Sequence, residues 1–476
     1  LLLSGKMFGL GKEELERQCP RFHEIPFSSE SKYMATFHNV KGKHFAYVKG
    51  APDIILRKCT KIFYKGRVMK LTEPEKRKIT GSIDELSASA LRVLGFAYKE
   101  CEGKKYKDVT DLIFVGLQGM RDPPRPGVRE AIARCKKAGI KVIMITGDHK
   151  RTAEAIGREI GIAGKAVTGE ELEQIKDLSR QVEDIFIYAR VDPSHKLKII
   201  DALKAKGHIV AMTGDGINDA PALKKADIGI AMGITGTDVS KEASDMVLAD
   251  DHFASIVNAV EEGRGVFNNI RKFVGLLLSC NIGEVLIIFL ASLFGWPLPL
   301  IAIQILWINL VTDGLPALAL GVDPTDPNVM EKKPRNPKEG IITNSFAVRI
   351  LSLSALVTFT TLLLFWLFLD KGIIKAQTIA FTVLVLIELI AVHVVRGQYT
   401  DRIFSNKLIT ASIAGSVLLQ ILIIYTPISK FFKVVALGAA DWLYIIIAVT
   451  AFASVGIALD KIIDRMSEKS QLKHSR

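Results

Sequence analysis

Two carboxylates stand four residues apart in HIVAMTGDGIND, residues 208–219: Asp215 and Asp219. They follow an apolar run, Ile209, Val210, Ala211 and Met212, which breaks at Thr213 and Gly214. Such a run bounded by glycine reads as a buried strand of a parallel sheet. Ligands of these sheets bind just beyond the carboxyl ends of the strands. Two acids on that edge, with Gly214 and Gly216 admitting close backbone approach, suit Mg²⁺ held beside a phosphate. Taken alone, TGDG is equally an ordinary Asp-Gly turn. A second strand end repeats it, ITGD, with Thr146, Gly147 and Asp148. A strand-end Thr-Gly offers a hydroxyl and open backbone amides to a phosphate. Lys196, in VDPSHKLKII, falls in the first turns of a helix behind Pro193. A lysine there is usually solvated, but beside an aspartyl phosphate it would neutralise the group in transfer.

A second set of polar residues lies inside apolar sequence. Six segments, 273–294, 299–321, 347–369, 376–395, 407–426 and 441–459, are each long enough to cross a hydrocarbon core of about 30 Å. Polar groups at mid-depth are costly there and point to function. The first segment carries Asn281 and Glu284, three apart and so expected on one helix face. The second carries Asn309, Thr312 and Asp313, followed by Gly314 and Pro316, which disfavour a regular helix and free carbonyl oxygens as ligands. The fourth carries Glu388. Three acids with amide and hydroxyl oxygens make a hard, all-oxygen site suited to Ca²⁺. Hydrogen bonding between helices would explain a lone Asn or Thr, but it explains three acids poorly.

The elements that must position these residues follow from the pattern along the chain. Residues 1–112 read as a soluble unit of antiparallel strands (HFAYVKG, KIFYKGRVMKL) with a helix over 73–90. Lys49 precedes Gly50 at a strand end there, either a solvated lysine or a cation able to approach an anion closely. Residues 113–252, opening with the run DLIFVGLQGM that begins at 111, alternate strands and helices in the βαβ rhythm of a doubly wound α/β domain. A helical stalk over 253–272 continues without an obvious stop into the first apolar segment, and Gly263, Gly265 and Gly275 are the places where it could bend. Six transmembrane helices over 273–460 and a tail over 461–476 complete a multi-domain chain, α/β plus membrane α-helical.

The chain of 476 residues is 49% hydrophobic, 24% charged and carries a formal net charge of +13. The first two values average a charged soluble part and an apolar membrane part. Much of the positive excess flanks the apolar segments, as at Arg271, Lys272, Lys332, Lys333 and Arg396. That is the positive-inside pattern, and it argues against nucleic-acid binding. The five cysteines, Cys19, Cys59, Cys101, Cys135 and Cys280, are scattered without metal or redox spacing, which suggests a reducing compartment.

TGDGINDAPALK, the second TGD, the PSHK lysine, the KGAP loop and the membrane motifs NIGE and NLVTDG together resemble the P-type ATPases, most closely the type II calcium pumps of the sarcoplasmic-reticulum class. The resemblance covers almost the whole chain. It implies that residues 1–112 are the later part of a nucleotide-binding domain, with Phe27 stacked on adenine, Lys32, Lys49 and Gly50 lining the pocket, and Arg92 reaching the phosphates. It implies that residues 113–252 are a phosphorylation domain of haloacid-dehalogenase type. There Thr146, Gly147 and Asp148 would hold the phosphate side, Lys196 the phosphoryl group and Asp215 the Mg²⁺, with Asn218 and Asp219 completing the edge. Asn281, Glu284, Asn309, Thr312, Asp313 and Glu388 match the family's transported-cation ligands. Asn309 departs from sodium/potassium-type pumps and Glu388 from plasma-membrane calcium pumps, which favours a reticulum-like Ca²⁺ pump, with Mn²⁺ or Na⁺, whose pumps use similar oxygen ligands, as the alternative cargo. ATP and Mg²⁺ are the implied cofactors, and membrane lipid surrounds a multi-pass chain whose soluble domains and carboxyl terminus are cytoplasmic. The family's DKTGT nucleophile motif does not occur in this sequence. The expectation is therefore a carboxyl-terminal part, inactive alone, whose partner is an amino-terminal part holding that motif, the actuator domain and four further spans. The competing expectation is a non-enzymatic membrane protein that binds nucleotide and cation.

Overall fold

Alternate burial builds the first sheet. In β2 (Tyr33–Val40) the inward side chains are Ala35 and Phe37, and in β3 (Lys43–Gly50) they are Ala46 and Val48. Each pair is two residues apart, the period of a strand with one covered face. With β1 (Arg21–Ile25), β4 (Cys59–Tyr64), β5 (Arg67–Lys70), β6 (Arg92–Glu100) and β7 (Leu112–Met120) they form a seven-stranded sheet of order β1-β2-β3-β6-β7-β4-β5. Helices α1 (Pro52–Arg57) and α2 (Glu73–Ala88) belong to this part. The computed structural model describes residues 2–28, 31–88, 91–101, 109–120, 124–400 and 405–474. Two units emerge: residues 1–136 with 141–254, and residues 137–140 with 255–476.

Strand β7 begins at the expected division, 112/113. Read as the opening strand of the α/β part, it instead pairs antiparallel with β6, from Arg92 opposite Met120 to Tyr98 opposite Ile113, and parallel with β4. A strand's own residues do not name its partner. Here the partner is a strand some twenty residues earlier, which satisfies β7 on one side while β4 satisfies the other.

The parallel strands form two ladders, β8-β10-β9 and β11-β12-β13, from β8 (Met144–Thr146), β9 (Lys165–Thr168), β10 (Ile185–Ala189), β11 (Ala211–Gly214), β12 (Ile228–Met232) and β13 (Met246–Leu248). In β10 the side chains of Ile185, Ile187, Tyr188 and Ala189 are all buried, as expected of a central parallel strand covered on both faces. The two strands that end in Thr-Gly-Asp, β8 and β11, are edge strands of their ladders among the described residues. Helix α3 (Lys150–Ile160) follows β8, and α4 (Pro193–Ala205) follows β10. Helix α4 starts where its caps dictate: Pro193 opens it, and the Asp192 carboxylate accepts from the amides of Ser194 at 2.9 Å and His195 at 3.1 Å.

Asp251 closes this unit. Its carboxylate accepts from the amides of Gly233 (2.6 Å), Ile234 (3.0 Å) and Thr235 (2.9 Å) and from the Thr235 hydroxyl (2.8 Å). Burial pushes its carboxyl up, but these bonds bring it down to about 2.

Helix α5 runs unbroken over 41 residues, Phe253–Leu293, roughly 60 Å at about 1.5 Å per residue. Its three candidate bend points do not interrupt it. The second unit continues with α6 (Ala302–Trp307), a π-helical turn over Ile308–Thr312, α7 (Gly314–Gly321), α8 (Asn344–Phe368), α9 (Ile373–Gly397), α10 (Lys407–Tyr425) and α11 (Ala439–His474). Among the described residues, six helical segments are long and apolar enough to cross a membrane: Phe253–Leu293, Ala302–Gly321, Asn344–Lys371, Ile373–Gly397, Lys407–Tyr425 and Ala439–Met466. The apolar window of α9 is 83% buried against 17% for α11, so α9 is the core of the bundle and α11 its rim.

Lys272 and Arg396 stand among the positive charges expected to flank the apolar segments. Both are buried on Asp323. Lys272 Nζ donates to Asp323 Oδ2 at 2.6 Å, Arg396 Nε lies 3.0 Å from both carboxylate oxygens, and Asn406 Nδ2 donates to Oδ1 at 3.1 Å. Asn269 Nδ2 reaches the Asp323 carbonyl at 2.7 Å. Burial pushes the Asp323 carboxyl up, but the bonds from Arg396 and Lys272 hold it below the usual range.

Candidate functional site

The carboxyl end of β11 is shaped by Asp219. Its Oδ2 accepts from the amides of Asp215 (3.3 Å) and Gly216 (3.2 Å), and its Oδ1 is ion-paired with Lys196 Nζ from α4. Gly214 makes this fold-back possible, since a Cβ there would lie 2.5 Å from Asp219 Cβ. The Asp215 backbone is fixed separately, its carbonyl accepting from Thr237 N at 2.9 Å and Ser240 Oγ at 3.3 Å. The Asp215 side chain is exposed, as is Asn218. Asp215 is thus a rigidly mounted carboxylate facing water, a hard oxygen donor that fits Mg²⁺. At the end of β8, Thr146 Oγ1 donates to Asp148 Oδ2 at 3.0 Å and accepts from Asp148 N at 3.1 Å, a tight turn leaving Gly147 and Asp148 exposed.

A cleft of about 1650 Å³ in the same unit is lined by Phe27, Lys32, Lys49, Gly50 and Arg92, together with Gly147 and Asp148. Every residue expected around a nucleotide is therefore on one surface, joined by two of the three residues at the β8 end. Lys196, Asp215, Asn218 and Asp219 are not among the lining residues. The Phe27 ring is 61% exposed, an unpaired aromatic face on which a base can stack. Sequence reasoning missed Arg77, His149, Arg151 and Arg190, which also line the cleft. Burial, then Arg190 and Arg151, push the His149 imidazole below its usual range, as a cationic wall suited to polyphosphate would.

Gly50 is the tightest point of this surface. A Cβ there would stand 2.5 Å from the Lys32 carbonyl oxygen and 2.7 Å from Tyr33 Cα, and Lys32 itself holds φ at +59°. Gly50→Ala must push β2 and Lys32 away from β3, at a cost of about 1–3 kcal/mol. We expect weakened binding of a fluorescent ATP analogue in parallel with a lowered unfolding temperature, measured on the same preparation.

The second unit gathers the membrane acids. Glu284, Asp313 and Glu388 are 5%, 2% and 1% exposed. Asn309 Nδ2 donates to Glu284 Oε2 at 2.8 Å. The π-helical turn, closed by Asp313 N on the Ile308 carbonyl at 2.9 Å, is the irregularity that Gly314 and Pro316 led one to expect. Thr312 is buried, but its hydroxyl is spent on the Ile308 carbonyl at 3.1 Å. Asn281 is not brought in: it is exposed, and its amide donates to the Leu277 carbonyl at 2.7 Å. The residue one position earlier takes its place. Cys280 Sγ and carboxylate oxygens of Asp313 and Glu388 lie within 4.8 Å of one another. Among the described residues, Glu284 Oε1, Asp313 Oδ2 and both oxygens of Glu388 accept from no N–H or hydroxyl donor. Buried carboxylates left so are costly unless a cation sits among them.

Residues 297–463 match the family described as "Cation transporting ATPase, C-terminus", and residues 1–127 the family described as "P-type ATPase, cytoplasmic domain N". The chain is 45% identical to Calcium-transporting ATPase 1 of Bacillus cereus, covering 94% of this chain and 54% of that protein. It is 42% identical to the Calcium-transporting ATPase of Bacillus subtilis (94% and 52%) and 39% identical to Calcium-transporting ATPase type 2C member 1 of Homo sapiens (98% and 51%). The chain spans about half the length of the curated relatives it matches.

Proposed function

Given that the chain belongs to the P-type cation-transporting ATPases, we propose that it is the carboxyl-terminal part of an ATP-driven Ca²⁺ pump working through an aspartyl phosphate. It is an integral, multi-pass membrane protein. The observation that carries the Ca²⁺ reading is the set of four buried carboxylate oxygens, on Glu284, Asp313 and Glu388, that meet no N–H or hydroxyl donor among the described residues of an apolar bundle. Oxygen donors of this charge suit a hard divalent cation.

Each residue has a part in the proposed cycle. Phe27 stacks the adenine, Lys32 and Lys49 flank the nucleotide beside Gly50, and Arg92 meets the phosphates. Thr146, Gly147 and Asp148 hold the phosphate side at the end of β8. The nucleophilic Asp belongs to the amino-terminal part of the pump, and the edge strands β8 and β11 offer unpaired backbone to a parallel strand that carries it. The γ-phosphoryl passes to that carboxylate and ADP leaves; water later attacks the acyl phosphate and frees inorganic phosphate. Lys196, held at the strand edge by Asp219, neutralises charge on the phosphoryl group. Asp215 would hold Mg²⁺, which would shield the phosphate charge, and Asn218 would complete that edge. Glu284, Asp313 and Glu388, with Asn309 and Thr312 beside them, bind the cargo ion. Asn281 joins them only if its side chain leaves the Leu277 carbonyl.

ATP-dependent Ca²⁺ uptake into vesicles holding the full-length protein tests this reading. Uptake that needs ATP and Mg²⁺ supports it. ATP-driven uptake of Mn²⁺ or Na⁺ without Ca²⁺ would reassign the ion, and nucleotide binding without any uptake would leave a non-enzymatic binding protein.

A further inference from the structure

We propose that Cys280 is a specificity-determining residue of the membrane cation site, and that its sulfur gives the site affinity for thiophilic divalent cations such as Cd²⁺ alongside Ca²⁺. This rests on the reading of Glu284, Asp313 and Glu388 as the cargo site.

Cys280 and Glu284 are four positions apart, so helix α5 presents both on one face. Cys280 is fully buried, and its Sγ shares a space of 4.8 Å with oxygens of Asp313 and Glu388. A buried cysteine is most often a small apolar filler. Cys59 fits that description: it lies among Ile55, Leu56 and Leu112, and its thiol donates to the Ile55 carbonyl at 3.1 Å. Cys280 also packs in an apolar core, but there it additionally lies near carboxylate oxygens from two other helical segments, and those of Glu388 meet no N–H or hydroxyl donor among the described residues. Ca²⁺ draws on oxygen ligands, and a neighbouring sulfur adds little for it. A soft d¹⁰ cation gains a metal–sulfur bond, the thiol proton leaving as the bond forms. The site is therefore mixed, hard oxygens with one soft donor, and discriminates less against thiophilic ions than an all-oxygen site would.

The test uses the full-length protein and its Cys280→Ser and Cys280→Ala variants, with Cd²⁺ and Ca²⁺ as probes. Two readouts are taken: the ratio of Cd²⁺ to Ca²⁺ concentrations that half-saturate the site, followed by Ca²⁺-stimulated ATP hydrolysis, and the ultraviolet sulfur-to-metal charge-transfer band on adding Cd²⁺. We expect that ratio to rise at least about tenfold in both variants, and part of the band to vanish in each. The same ratio and the same band in wild type and both variants would overturn the inference. A wild type without Ca²⁺ stimulation would overturn the pump reading instead, and the band difference would still decide the role of Cys280.

Discussion

Alanine in place of Asp323 is expected to destabilise the membrane unit by about 3–5 kcal/mol, the usual loss when one partner of a buried ion pair is removed. Lys272 and Arg396 are 3% and 2% exposed, and Asp323 is the carboxylate each of them meets. Without it both cations lose the carboxylate they share, while Lys272 keeps Asn269 Oδ1 and Arg396 keeps Ser405 Oγ. Asn406 also loses its bond to the carboxylate, whereas Asn269 keeps the backbone carbonyl of residue 323. Thermal unfolding of the detergent-solubilised chain measures the loss. A triple change to apolar residues, Asp323→Leu with Lys272→Met and Arg396→Met, should recover most of it, because then no charge is stranded. If the single and triple variants unfold alike, the loss comes from packing and not from stranded charge. The pH sign follows from the lowered carboxyl: the contribution is present above the unfolded value of about 3.9 and is lost as pH falls through the lower folded value.

Glu284→Gln and Asp313→Asn should each weaken Ca²⁺ activation of the full-length protein by about 100-fold or more, since affinity for this ion follows the count of charged ligands. ATP affinity should stay within about twofold, because every residue lining the nucleotide cleft lies in the first unit and none carries either substitution. The isosteric amides keep the volume, so a fall in stability is not expected. Ca²⁺ titration of ATP hydrolysis, with nucleotide binding measured in parallel, separates the two effects. Equal losses in Ca²⁺ and ATP affinity would contradict a two-site arrangement.

Local signals were readable where chemistry and strand period coincide. The two Thr-Gly-Asp strand ends, the helix behind Pro193 and the three membrane acids announced themselves by residue type and spacing. Non-local pairing did not. Strand β7 has an apolar run fit for either sheet, and only its register with β6 and β4 decides. Asn281 offers the oxygen expected of a ligand, and its three-residue spacing from Glu284 allows a shared face. In the fold, Cys280 and Glu284 turn inward while Asn281 faces out. Reading cysteines by their spacing from one another missed Cys280, whose partners Asp313 and Glu388 come from other parts of the chain. Lys272 and Arg396 looked like membrane-flanking charges because Asp323, the acid they share, lies 51 and 73 residues away.

The central claim is an ATP-driven cycle gated by the cation that Glu284, Asp313 and Glu388 bind. Labelling the full-length protein with ATP carrying a radioactive γ-phosphate tests it most directly. The account predicts an acid-stable, hydroxylamine-sensitive phosphoprotein that forms only when Ca²⁺ is present and fails to form in Glu284→Gln. Labelling that is the same with and without Ca²⁺ would contradict it.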